Sequence, residues 1–168
     1  MFIQYARKVV GAVVVIVPLL LWADVSQPPS DSPHGRSVQG VSVYFSVIPA
    51  EIIRQRFERS SSERAMHGGV PEAPHVHHVM VALFETATDE RITDATVYAR
   101  ILLPESHAPA PKKRRLEAMH VAGTTTYGNY FVLGTIATYN IEVIIDLPRH
   151  PGIRTSFRYE HTAGTSHL

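Results

Sequence analysis

Residues 139–145 alternate with a period of two: Tyr139, Ile141, Val143 and Ile145 are apolar, with polar Asn140 and Glu142 among them. A strand sends successive side chains to opposite faces, so this pattern commits the segment to a half-buried β-strand. Residues 41–48 (Val-Ser-Val-Tyr-Phe-Ser-Val-Ile) are β-branched and aromatic and end at Pro49, which predicts a second strand. Further strands are expected over 75–84, 92–103, 116–122, 130–133 and 154–161, and residues 50–59 form a short helix or an extended arm. Thr88-Asp89-Glu90-Arg91 predicts a hairpin turn, residues 123–128 a polar turn region and 148–152 another turn. Ser60 to Ser62, Gly68-Gly69, Pro71 and Pro74 mark a loop, as do Pro104, Pro109 and Pro111. About seven or eight short strands separated by such loops, with almost no helix, predict an all-β protein built as a β-sandwich.

The first 40 residues do not fit that pattern. Arg7 and Lys8 precede an apolar run over 9–23, broken only by Gly11 and Pro18. The run is shorter than the roughly 20 apolar residues of a spanning helix, and it matches the apolar core of a secretory signal. It is either a signal peptide cut after Ala23 or an uncleaved membrane anchor, and both place the remainder in the periplasm. Residues 24–40, rich in Ser, Pro, Gly and Gln, read as a flexible linker, leaving 41–168 as the sandwich domain. There is no cysteine, which excludes a disulfide framework. The formal net charge of +1 gives no electrostatic footprint for nucleic acid. The basic run Lys112-Lys113-Arg114-Arg115 reads as a solvated loop tip.

The ten histidines are the compositional oddity. Within the strand at 75–84, His75 and His77 share one face, and His78 and Met80 share the other. Imidazole nitrogen and thioether sulfur together suit a soft or borderline metal, copper above all. Met119, on another strand, is expected to approach this pair, and His150, in a turn, to close the site from outside. The expected metal ligands are therefore His78, Met80, Met119 and His150. The alternative for Met80 and Met119 is ordinary gap-filling in a core. His75 and His77 either face solvent or form a secondary metal site with His67. Met66-His67-Gly68-Gly69 is either a lid over the metal or a plain loop, and His34, His107, His161 and His167 read as surface residues. No catalytic motif is present: no nucleophile elbow, phosphate-cradling loop or zinc-protease helix. The expectation is a protein that is not an enzyme.

Leu116-Glu117-Ala118-Met119, then Gly123 and Tyr127-Gly128-Asn129, resembles the signature of periplasmic iron-transport proteins, exported companions of a ferrous-iron permease that bind copper. In that family a Met in an L-x-x-M stretch precedes an H-Y-G turn, an H-x-E pair lies on an earlier strand, and a further His follows a late strand. The resemblance spans residues 75–161. It places the family Met at Met119, the earlier His at His78 and the late His at His150. Met80 stands in place of the Glu, and Thr126 in place of the His before Tyr-Gly. The resemblance implies an Ig-like sandwich and a homodimer, and the departures give a softer site that favours copper(I), with iron the other metal.

These readings converge on an exported transition-metal-binding protein, a copper carrier that exchanges its ion with a membrane permease or another envelope protein. The alternative is a non-catalytic Ig-like structural or interaction module, pairing through its strand edges and using Tyr127, Tyr130 and Tyr139 as packing or contact residues. The metal reading requires His78, Met80 and Met119 to meet.

Overall fold

The computed structural model describes residues 31–57, 67–103, 111–121 and 123–162. The elements are β1 (Gly35–Val38), β2 (Val41–Pro49), α1 (Ala50–Phe57), β3 (Val76–Glu85), β4 (Thr96–Leu102), β5 (Arg114–Val121), β6 (Thr124–Val132), β7 (Ala137–Asp146) and β8 (Ile153–His161). All pairings are antiparallel, in the order β1-β2-β3-β6-β5-β4-β7-β8. Setting β1 aside, β2-β3-β6-β5 and β4-β7-β8 reproduce the two sheets of a constant-type immunoglobulin domain. The fold is the expected all-β sandwich. Its halves are joined along one side only where Val97 to Ala99 of β4 meet Arg114 to Leu116 of β5. On the other side β8 approaches β1, so the sandwich is nearly a closed barrel.

The inward faces follow the period of two. Val79, Val81 and Leu83 of β3 meet Tyr139, Ile141, Val143 and Ile145 of β7 in one core. Phe45 of β2 stacks on Phe157 of β8 with centroids 4.5 Å apart, tying the layers together. Near the start of β7 the Tyr139 hydroxyl donates to the Thr135 carbonyl at 2.9 Å. This is the tyrosine corner of immunoglobulin-like domains.

Several local expectations change. Residues 31–40 were expected within the linker, yet Gly35–Val38 is strand β1. It pairs with β2 across Gln39 and Gly40, whose φ values of 49° and 80° fit a two-residue hairpin turn that glycine favours. Residues 124–128 belong to β6, because Thr125 and Tyr127 turn inward and are buried. The turn at 88–91 exists, with Asp89 at φ 56°, and folds Arg91 back antiparallel onto Phe84 in a short hairpin before β4 leaves for the other sheet. Arg114 and Arg115 lie in β5 rather than at a loop tip. The helix option for residues 50–59 is realised as α1. Tyr127, Tyr130 and Tyr139 are all buried in the cores, so of the two roles expected for them they take packing and not contact.

Among the described residues no helix is long and apolar enough to cross a membrane. The apolar run 9–23 lies outside them, as do Met66, His107 and His167.

Candidate metal centre

The outer face of β3 is covered as well as the inner one. Ala50 and Ile53, one turn apart on α1, pack with Val76 and Tyr130 into a second small core, against which Ile48 and Val70 rest. This layer buries His78 to 2% exposure on the face opposite the main core.

His78 stacks on Tyr130 with centroids 4.5 Å apart. Its Nε2 is buried without a hydrogen-bond partner. Burial, and secondarily the neighbouring His67, lower its pKa to about 4, so the ring is neutral near pH 7. An unsatisfied buried polar atom costs roughly 1–3 kcal/mol. A metal ion is one partner that would satisfy it.

Met119 is also buried, on the same outer face, reached from β5 across β6. Gly128 of β6 lies between the two. A Cβ there would stand 2.6 Å from Met119 Cε and 2.7 Å from His78 Nε2. The two side chains therefore converge over the one residue that leaves them room.

The third donor is His67, whose side chain is only 2% exposed. Positive φ values of 59°, 74° and 101° at His67, Gly68 and Gly69 curl the segment. His67 Nε2 lies 3.2 Å from Met119 Sδ, and its ring centroid 5.3 Å from that of His78. On its other side, Nδ1 lies 3.0 Å from Glu117 Oε2. Glu117 accepts the Nδ1 proton in the tautomer that leaves an Nε2 lone pair. His67 Nε2 then keeps its lone pair 3.2 Å from Met119 Sδ, with the unpartnered His78 Nε2 on the neighbouring ring, a donor set that a cation would satisfy. A carboxylate behind a ligating imidazole is the usual device for fixing its tautomer.

The structure thus brings together His78 and Met119 and adds His67, which was assigned to the secondary group. Met80 shares the face of His78 and sits opposite Gly128 in the ladder, partly exposed. His150 is elsewhere. It lines a cleft with Glu85, Glu90, Arg91 and Asp94, beyond the far end of β3. The seven-residue step from His78 to Glu85 spans roughly 23 Å at strand rise, so His150 cannot close this site. The secondary group is also rearranged. His77 does not face solvent but is buried on the core side at 4% exposure, His75 is exposed, and neither accompanies His67. Among the described residues no three His, Asp or Glu side chains form a metal-binding group; here a thioether completes the set.

Sequence reasoning missed Glu117, although its place two residues before Met119 puts both on one strand face. It also missed the need for Gly128, which only the packing reveals.

The fold is that of an immunoglobulin-like sandwich with a His/Met cluster on its outer face. No protein-family model and no curated protein matches the chain. Solved structures do match in fold. A DUF4426 family protein from Pseudomonas aeruginosa superposes with a TM-score of 0.58 at 13% identity, covering 76% of this chain and 93% of that one. A copper-bound variant of FetP from uropathogenic Escherichia coli gives 0.55 at 12% identity, covering 76% and 93%. FetP as isolated gives 0.56 at 10% identity, covering 76% and 92%. The similarity to the iron-transport type of sandwich is thus matched at the level of fold.

Proposed function

We propose that this protein is an exported, non-catalytic carrier that binds a transition metal, copper(I) in preference to iron, through His78, Met119 and His67. The observation that carries the reading is the buried, unpartnered Nε2 of His78 beside Met119, with His67 Nε2 3.2 Å from the sulfur. One thioether and two neutral imidazoles make a soft set that suits copper(I) better than a hard ferric ion. The copper-bound FetP structure of similar fold supports the same direction. Met80, adjacent on the face, is the available fourth donor.

The metal is cargo in this reading. His67 is held by a short curled segment and braced by the half-exposed Glu117, so it is the donor best placed to be exchanged for one from an acceptor. The acceptor would be a membrane permease or another envelope protein, and export would rest on the apolar run at 9–23.

The test is competition of the purified protein for copper(I) against a chromophoric chelator. A one-to-one complex, weakened at least tenfold by His78→Ala, by Met119→Ala and by His67→Ala but not by His150→Ala, is expected. Binding that all four variants retain would sink the proposal.

A further inference from the structure

The basic run Lys112-Lys113-Arg114-Arg115 is left unused by the metal centre, and strand pairing gives it a place. Arg115 stands opposite Tyr98, Tyr98 opposite Ile144, and Ile144 opposite Arg154. In the next row Glu142 lies between Arg100 and Ser156, and in the one after Asn140 lies between Leu102 and Arg158. Val97, Ala99, Ile141, Val143 and Phe157, which alternate with these residues, point into the core. The three rows are therefore the outer face of the β4-β7-β8 sheet. Lys113 reaches the same face, its Nζ 3.9 Å from the centroid of the Tyr98 ring. Arg114 turns the other way, donating to the Tyr130 carbonyl and lying over Phe131.

Within its rows the face carries Arg100, Lys113, Arg115, Arg154 and Arg158 against the single carboxylate of Glu142. That carboxylate is already paired: Arg154 donates to Oε1 at 3.0 Å, and Arg100 Nε stands 3.6 Å from Oε2. Asp146 and Glu160 flank the rows, and Asp146 accepts from the Gly152 N–H at 2.8 Å. The chain as a whole is close to neutral, with 16 Lys and Arg against 15 Asp and Glu. Positive charge is thus gathered on this sheet, while Glu85, Asp89, Glu90 and Asp94 gather in the connection before β4. Tyr98 and Leu102 lie among the cations, and Leu103, 42% exposed, follows at the rim. Basic heads on long apolar stems, with an aromatic ring and leucines between them, suit the boundary between phosphate headgroups and acyl chains.

The chain also enters at the border of this face, because β1 lies beside β8. Residues 24–30 alone separate Asp31 from the apolar run 9–23, and seven residues span at most about 25 Å. An apolar run retained in the membrane therefore keeps the β8 border of the basic face close to the bilayer.

We propose that the outer face of the β4-β7-β8 sheet docks on a bilayer surface rich in anionic phospholipid. The guanidinium forks of Arg154 and Arg158 take lipid phosphates, and Lys113 and Arg115 add point and fork contacts at the opposite border. Clusters of about four to eight Lys and Arg are the usual footprint for such lipids. Docked this way, the protein turns the outer face of β2-β3-β6-β5, which carries His78 and Met119, away from the membrane. The proposal does not depend on which ion that centre holds.

The experiment exploits the absence of cysteine. Ser156→Cys places one environment-sensitive dye on the basic face, and Tyr44→Cys places it on the exposed outer face of the other sheet. Each full-length labelled protein is mixed with vesicles of phosphatidylcholine and phosphatidylglycerol, or of phosphatidylcholine alone. The apolar run can carry the chain to either vesicle, so the comparison between dye positions is what reports docking. The expected result is a brightened, blue-shifted dye at position 156 on the anionic vesicles only, with the dye at 44 unchanged. The response should vanish in 1 M salt, where the screening length is about 3 Å. Adding Lys113→Glu and Arg158→Glu, both at exposed positions, should lower the apparent lipid affinity at least tenfold. Equal responses at the two positions, an equal response on neutral vesicles, or full affinity in the folded charge-reversed variant overturns the proposal. Silence of both dyes also overturns it, and turns the search to an acidic protein partner. Should the charge-reversed variant fail to fold, the dye pair and the salt series decide.

Discussion

Replacing Gly128 with alanine tests the convergence of the outer-face centre directly. The added Cβ would lie 2.6 Å from Met119 Cε, 2.7 Å from His78 Nε2 and 3.2 Å from His78 Cε1. Carbon contacts settle near 3.5–4.0 Å, so the two nearest atoms must each retreat by about 1 Å. Met119 is unbranched and its methyl can swing aside at little cost. His78 cannot move as freely, because its ring is stacked on Tyr130 and faces His67. Overpacking of this kind costs about 1–3 kcal/mol. The smaller freedom of alanine in the unfolded chain returns about 0.4–1 kcal/mol. The net loss is about 1–2 kcal/mol, which lowers the melting temperature by roughly 4–10 °C for a domain of this size. Copper(I) affinity should fall at least tenfold, because the nitrogen and the sulfur are pushed apart. Circular dichroism melting of the metal-free protein and chelator competition read the two effects. Gly134→Ala is the control, since nothing stands within 4 Å of a Cβ there. Should Gly128→Ala melt with the wild type and bind copper(I) equally well, His78 and Met119 do not meet over this residue.

Glu117→Ala should weaken copper(I) binding about tenfold, the lower end for loss of a carboxylate behind a ligating His, while the melting temperature stays put; chelator competition alongside melting separates the two. The metal-free protein should lose stability on mild acidification. The folded pKa of His78, about 4, lies below the unfolded value of 6.5, so the unfolded chain takes up the proton first. The contribution is complete above pH 6.5 and is lost as pH falls toward 4, up to about 3 kcal/mol in total. His77, also lowered by burial, acts in the same sense. Urea unfolding between pH 4 and 7 measures the slope, and a stability that rises on acidification would refute it. Tyr139→Phe removes the hydroxyl that serves Thr135 and should cost about 1 kcal/mol, read by the same urea curves; an unchanged midpoint would show that the corner contributes nothing.

Most strands were legible because their apolar residues carry the period themselves. Residues 41–48 and 139–145 are the clearest, and both lie in strands of the main core. β1 was not legible, because Gly35–Val38 has no apolar run of its own and is a strand through its pairing with β2. The start of β6 was hidden by its threonines. They read as a turn locally, yet Thr125 is buried on the inner face beside Tyr127. Both misses concern pairing partners, which a local period does not encode.

The candidate site divides along the same line. Parity alone separates His77 from His78 and places Met80 with the latter, and the structure keeps that separation. Parity does not say which face meets the core. Apolar residues occupy both faces of β3, and the outer one is buried only because α1 and the segment around Val70 fold over it. His67 reaches Met119 and Glu117 from about fifty residues away in sequence, and His161 reaches His77 from more than eighty. The outer-face centre thus takes His78 from β3, Met119 from β5 and His67 from the segment before β3. That donor set does not exist in the unfolded chain. An ion it holds binds the folded state alone and must stabilise it by mass action, so copper-dependent melting tests the proposed function, and a shift retained in His78→Gln would refute it.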